Sequence, residues 1–166
     1  VTSSGARLFA DLRGYKAVGV QKGLVFAGRM QVGSILGASL EGTPTDYLFY
    51  SGGGGTVRGQ PYQSLGVYYL RDSAGALYQT GGRQLLVGSV EARLRVTETI
   101  GVVGFFDAGR VDANGFFTDE GNYQAGAGLG LRYATPVGPL RLDVAMPVAG
   151  DTGEGVQFYI GLGQAF

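Results

Sequence analysis

A two-residue hydrophobic period runs through almost the whole chain and limits what it can fold into. Ala6, Leu8, Ala10 and Leu12 share one parity, with Arg7, Asp11 and Arg13 on the other. Leu24, Phe26, Met30, Val32 and Leu36 likewise oppose Arg29 and Gln31, and Leu86, Val90, Ala92, Leu94 and Val96 oppose Ser89, Glu91, Arg93 and Arg95. Ile100, Val102 and Phe106 follow, with Asp107 on the opposite parity. Tyr123, Ala125, Ala127, Leu129, Leu131 and Tyr133 then oppose Gln124 and Arg132. Leu140, Leu142, Val144 and Met146 oppose Arg141 and Asp143, and Val156, Phe158, Ile160 and Leu162 share a parity that ends on Phe166. Successive side chains of a strand point to opposite faces, so each segment has one apolar and one polar face. The pattern predicts seven strands of about 10 to 14 residues, long enough to cross a bilayer when tilted.

Alternation also fits a soluble sandwich or a lipocalin-like barrel. Three features favour lipid. The strands are longer than the five or six residues common in soluble sheets. The polar faces carry many arginines, as a wet lumen would. Aromatics sit near strand ends (Tyr15, Phe26, Tyr133, Phe158 and Phe166), where interfacial girdles are expected. Short links at 19–23, 97–99 and 135–138 alternate with long ones at 37–82, 109–122 and 148–155, the turn-and-loop asymmetry of outer-membrane barrels. On that rule Phe166 lies on the periplasmic side and the first strand starts on the extracellular side. An odd strand number cannot close in lipid, so an eighth strand, a second copy or preceding sequence is expected to cover the first edge. Residues 62–70 and 76–80 could form a hairpin inside the longest link. The start at Val1 reads as a mature or truncated product.

Composition removes several function classes. The 13 basic and 13 acidic residues balance, which gives no reason to expect nucleic acid. The absence of cysteine and histidine excludes disulfides, cysteine nucleophiles, His-based triads and almost all zinc sites. The 32 glycines, about three times the usual share, argue against helices, and no apolar run is long enough for a transmembrane helix. Gly126, Gly128 and Gly130 share one face of a strand with no helix after it, so they read as space for a neighbouring segment rather than a nucleotide loop. Asp112, Asn114, Asp119 and Glu120 lack the order of a calcium loop and read as a solvated turn. Nothing suggests catalysis, and neither cofactor nor metal is expected.

The long link holds Phe49-Tyr50-Ser51-Gly52-Gly53-Gly54-Gly55-Thr56-Val57-Arg58-Gly59-Gln60. Downstream come Ser89-Val90-Glu91-Ala92-Arg93, Phe105-Phe106-Asp107-Ala108-Gly109, the run from Gly128 through Pro136-Val137-Gly138-Pro139 to Asp143, and the ending Phe158-Tyr159-Ile160-Gly161-Leu162-Gly163-Gln164-Ala165-Phe166. Together these resemble the C-terminal barrel part of the BamA/TamA superfamily, from its inward-folded Val-Arg-Gly-aromatic loop to its last strand. Gln60 departs from the aromatic residue usual after that glycine.

The resemblance implies an all-β, antiparallel transmembrane β-barrel or part-barrel of about seven to eight strands, with a long inward-folded loop at 38–82. Residues 1–166 would be a bacterial surface antigen-type outer-membrane β-barrel domain without POTRA domains. Its implied role is inserting or translocating polypeptides in the bacterial outer membrane, with unfolded β-barrel or secreted polypeptides as substrates; a passive structural barrel or small pore that closes by dimerising is the alternative. Glycines let the loop fold tightly, and an arginine withdrawn from water needs carboxylates. Gly52, Gly53, Val57, Arg58 and Gly59 are therefore the expected loop motif, docked on Glu91 and Asp107. Phe158, Ile160, Gly161, Gly163 and Phe166 are expected to form a terminal strand whose edge pairs with substrate. Arg7, Arg13, Arg29, Arg58, Arg93, Arg95, Arg132 and Arg141 are expected in the lumen against Asp11, Glu91, Asp107 and Asp143, forming a charge network rather than an anion pore.

Overall fold

A computed structural model describes residues 4–19, 23–70, 75–119 and 121–166. Its main body is one seven-stranded antiparallel sheet of β1 (Ala6–Val18), β2 (Leu24–Leu36), β5 (Gln84–Arg95), β6 (Ile100–Asp112), β7 (Asn122–Tyr133), β8 (Leu140–Ala149) and β9 (Gln157–Leu162), in that spatial order. Between β2 and β5 the chain makes a 3₁₀ turn (Thr45–Tyr47) and a separate hairpin of β3 (Val67–Leu70) and β4 (Leu77–Thr80). Among the described residues no helix is long and apolar enough to cross a membrane.

Register fixes which side chains share a face. Tyr15, Ala27, Glu91, Phe105, Gly128, Ala145 and Gln157 are successive partners in one row across the sheet. Two residues away on the same face, Arg13, Arg29, Ser89, Asp107, Gly126 and Pro147 form another row. The polar parities of all seven strands therefore converge on one inner face. The opposite face exposes Leu8, Leu12, Val90, Leu94, Leu129, Phe158 and Ile160, which suits lipid.

The inner face is not uniformly wet, contrary to the expected arginine-lined lumen. Near the long connections, Ile35, Leu85, Val87 and Val111 are buried beneath Leu48, Phe49, Val57, Leu65 and Val67 of the long link. These wall positions lie on the polar parity, but the incoming loop supplies apolar partners there. Bridges from Phe49 to Gly82 and from Ser51 to Leu65 tie the link to itself. The inner position Gly33 leaves room for the Phe49 ring, which would lie 2.6 Å from a Cβ.

Two expected girdle residues turn inward instead. Tyr15 belongs to the inner row, with the Arg93 guanidinium 5.6 Å from its ring. The last strand stops at Leu162 and Gly163 adopts φ +88°, so the alternation does not extend to Phe166. Phe166 is buried, its carbonyl accepts from Arg93 Nη2 at 3.1 Å, and its ring lies 5.2 Å from that guanidinium. At six residues β9 is also shorter than expected. β1 and β9 each have one neighbour in the sheet, which is therefore a part-barrel.

Candidate functional site: a loop pinned to the inner face

The loop motif is a tight turn built on glycine geometry. Gly52 and Gly53 adopt φ +113° and +88°, a region open to glycine at little cost. The Gly53 N–H donates to the Val57 and Gln60 carbonyls at 3.1 and 3.0 Å, while the Gly52 N–H donates to Thr56 Oγ1 at 2.8 Å. Val57, fully buried, anchors one side in the apolar cluster. Gly59 is also left-handed (φ +91°), and a Cβ there would lie 2.5 Å from the Met146 carbonyl oxygen. The turn thus presents Arg58 at a fixed point against the wall.

Arg58 is 2% exposed and directs all three of its guanidinium nitrogens at carboxylates. Nε and Nη2 form a fork on Asp107 at 2.7 and 3.0 Å, and the Arg58 backbone N–H donates to the same carboxylate at 3.1 Å. Nη1 donates to Glu91 at 2.6 Å and to Asp143 at 3.3 Å. The guanidinium also stacks 3.6 Å from the centroid of Phe105. Burial, the largest single influence, pushes its pKa down, but the hydrogen bonds and charges of Asp107 and Glu91 together hold it above the ordinary value. Arg58 stays charged.

The structure brings Arg58 to Glu91 and Asp107, the two partners expected, and adds a third carboxylate. Asp143 also bonds Arg132 and lies 3.5 Å from Arg141, while Glu91 bonds Arg93 at 2.7 Å. Each carboxylate buried beside Arg58 thereby gains partners, as buried charge requires. Glycines leave the space. A Cβ on Gly126 would collide with the Arg58 carbonyl, and one on Gly128 would lie 2.5 Å from the Phe105 ring.

Sequence reasoning did not assign Phe105, Tyr159 or Gln60 a place at this site. Phe105 and Tyr159 break the polar parity of their strands, and an aromatic on a polar face was the available signal. The Tyr159 hydroxyl accepts from the Gly59 N–H at 3.0 Å. Gln60 is fully buried, and its Nε2 donates to the Ala125 and Ala149 carbonyls at 2.8 and 3.1 Å. Its Oε1 accepts from Thr152 at 2.9 Å. These carbonyls flank a bulge between β7 and β8, where the register passes from Ala125↔Ala149 to Gly126↔Pro147. A bulge interrupts the ladder and proline donates no N–H, so the Gln60 amide fills a local deficit of donors.

The terminal-strand residues do not form one surface. Phe158 and Ile160 face outward, whereas Gly161 faces inward beside Arg141, with its missing Cβ 3.3 Å from Nη2. Gly163 ends the strand and Phe166 sits among inner-face arginines. Elsewhere the Asp112 carboxylate is engaged by Arg110 at 2.8 Å and by the Thr118 N–H at 3.1 Å; Glu120 lies outside the described residues.

An open antiparallel sheet with an apolar outer face, enclosing a loop fixed by a buried arginine, defines a transmembrane β-barrel part with an occupied lumen. Residues 2–166 match the Omp85 superfamily domain, and the chain belongs to that superfamily, a family of outer-membrane protein assembly and translocation. The fold is similar to that in the crystal structure of BamA from Haemophilus ducreyi lacking POTRA domains 1–3, with a TM-score of 0.74 and 24% identity over 92% of this chain. That match covers 34% of the BamA chain. The sheet therefore has the fold of part of a BamA-type barrel.

Proposed function

We propose that residues 1–166 serve as the bacterial surface antigen-type barrel part of a non-enzymatic machine of the bacterial outer membrane. It inserts or translocates polypeptides by pairing their strands with the edge of β9. The observation that carries this reading is the asymmetry of the last strand pair. β9 meets β8 only from Leu140 to Ala145, leaving Met146–Ala149 without a β9 partner. The other edge of β9 has no neighbour in the sheet. Backbone groups on such an edge can bond an added strand. The Arg58 partners lie on β5, β6 and β8, so the ion-paired pin does not use β9, although the neighbouring Gly59 N–H reaches the Tyr159 hydroxyl on that strand.

Cysteine cross-linking tests this reading. With Ile160→Cys in the full-length protein, disulfides to cysteines placed along a nascent barrel strand should recur at alternate positions, as the two-residue strand period requires. Absence of such cross-links during active assembly would remove the proposal. A second reading, a passive barrel or small pore, draws on the unpaired outer edge of β1. That edge must be covered in lipid by preceding strands or by a second copy. Bilayer conductance without cross-links, with a detergent-solubilised mass of two chains, would select that reading.

A further inference from the structure

At the short-turn end of the sheet, a cavity of about 360 Å³ is lined by Arg93, Arg95 and Arg132 together with Glu98, Thr99 and Gln164. Arg132 is 5% exposed. Its Nη1 donates to Asp143 and to the Leu131 carbonyl, and its Nε donates to Gln164 at 3.3 Å. Its Nη2 is buried and has no hydrogen-bond partner among the described residues. An unpaired donor on a buried guanidinium is costly, and the Arg132 side chain that carries it lines this cavity.

The local charges point the same way. Glu91 is shared by Arg58 and Arg93, and Asp143 by Arg58, Arg132 and Arg141. Asp107 is taken by Arg58. Arg95 is exposed and forms no ion pair among the described residues. Five guanidinium groups thus face three carboxylates, and Glu98 at the turn offsets only one of the two remaining positive charges. Guanidinium forks match the oxygens of phosphate, and Arg93, Arg95 and Arg132 together line this one cavity.

We propose that this cavity binds a phosphate oxyanion, with Arg132 as the buried cation of its wall and Arg95 as its mouth. The phosphate could be free or belong to a phospholipid headgroup. The site lies apart from the β9 edge and does not depend on the strand-pairing role.

Calorimetric titration of inorganic phosphate into the full-length protein, held in an uncharged detergent, tests the site. Saturable binding is expected, weakened about tenfold by either Arg132→Gln or Arg95→Gln, the loss of one charge-assisted hydrogen bond. Arg95→Gln alters an exposed, unpaired side chain and so keeps the fold. Arg7→Gln, whose Nε donates to Tyr47 far along β1, should bind like the parent. Displacement of phosphate by a soluble short-chain phosphatidylglycerol would identify a headgroup, and failure to displace would identify free phosphate. No saturable binding, parent-like affinity in the Arg132→Gln and Arg95→Gln variants, or equally tight binding of acetate would overturn the proposal.

Discussion

Two bands of the inner wall hold the same loop by different physics. Near the long connections, Leu48, Phe49, Val57, Leu65 and Val67 bury against Ile35, Leu85, Val87 and Val111. That contact is non-directional and tolerates small shifts. One row further in, Arg58 meets Asp107, Glu91 and Asp143 through forked hydrogen bonds between 2.6 and 3.3 Å. The difference separates adhesion from registration. The apolar band keeps the loop inside, and the charged band decides where along the wall it stops.

Removing the charged contact should have the largest effect. Arg58→Ala leaves Asp107 without its fork and Glu91 and Asp143 each short of a cation. Breaking a buried pair in this way costs about 3–5 kcal/mol. The urea midpoint of the heat-modifiable folded form should fall, and the loop should become open to protease. Unchanged values of both would show that the wall does not need the pin. Arg58→Lys keeps the charge but loses the fork, so it should recover only part of the loss.

The apolar band should respond next. Leu65 is 1% exposed, and Leu65→Ala is expected to cost about 3 kcal/mol, within the range for buried leucines. Protease sensitivity should rise while a cross-link between cysteines at Ser51 and Gly109, whose Cβ atoms would lie 3.4 Å apart, still forms, because the pin still sets the register. Loss of that cross-link with Leu65→Ala, but not with Arg58→Ala, would reverse the assignment of adhesion and registration.

The strands were legible because a half-buried strand writes its two faces directly into residue parity. The Arg58 docking was legible for a different reason: a motif resemblance joined residues that parity places on neighbouring strands. The apolar band was not, since Leu85, Val87 and Val111 sit on the parity that carries Glu91 and Asp107. Their burial depends on which loop residues arrive, and nothing in the local strand pattern records that. Phe166 was misplaced because parity continues only while the strand does, and Gly163 breaks it.

Gln60 ties the loop to the β7–β8 bulge and should rank third. Gln60→Ala removes the donor shared by Ala125 and Ala149 and the acceptor of Thr152. Leaving buried carbonyls unpaired costs about 1–3 kcal/mol each, reduced where water can enter. Amide hydrogen exchange near the β7–β8 bulge should quicken, with Arg58 still docked. Unchanged exchange there would mean that the bulge does not rely on the loop.

The smallest effect should come from the first hairpin, which supplies no carboxylate to the charged pin. Arg29 on β2 donates to Asp11 at 2.7 Å and, through Nη1, to the Gly55 carbonyl at 3.0 Å, linking the first hairpin to the loop. Asp11 keeps Arg13 as a second partner at 3.1 Å, so Arg29→Gln strands no carboxylate. The pair is also partly open to solvent, where such contacts contribute about 1 kcal/mol or less. Arg29→Gln should therefore shift the urea midpoint slightly, and most visibly at low salt, where screening is weakest. A loss as large as that of Arg58→Ala would place the registration on β1 and β2 rather than on β5, β6 and β8. A small, salt-sensitive loss would leave the first hairpin free to follow whatever strand covers its outer edge.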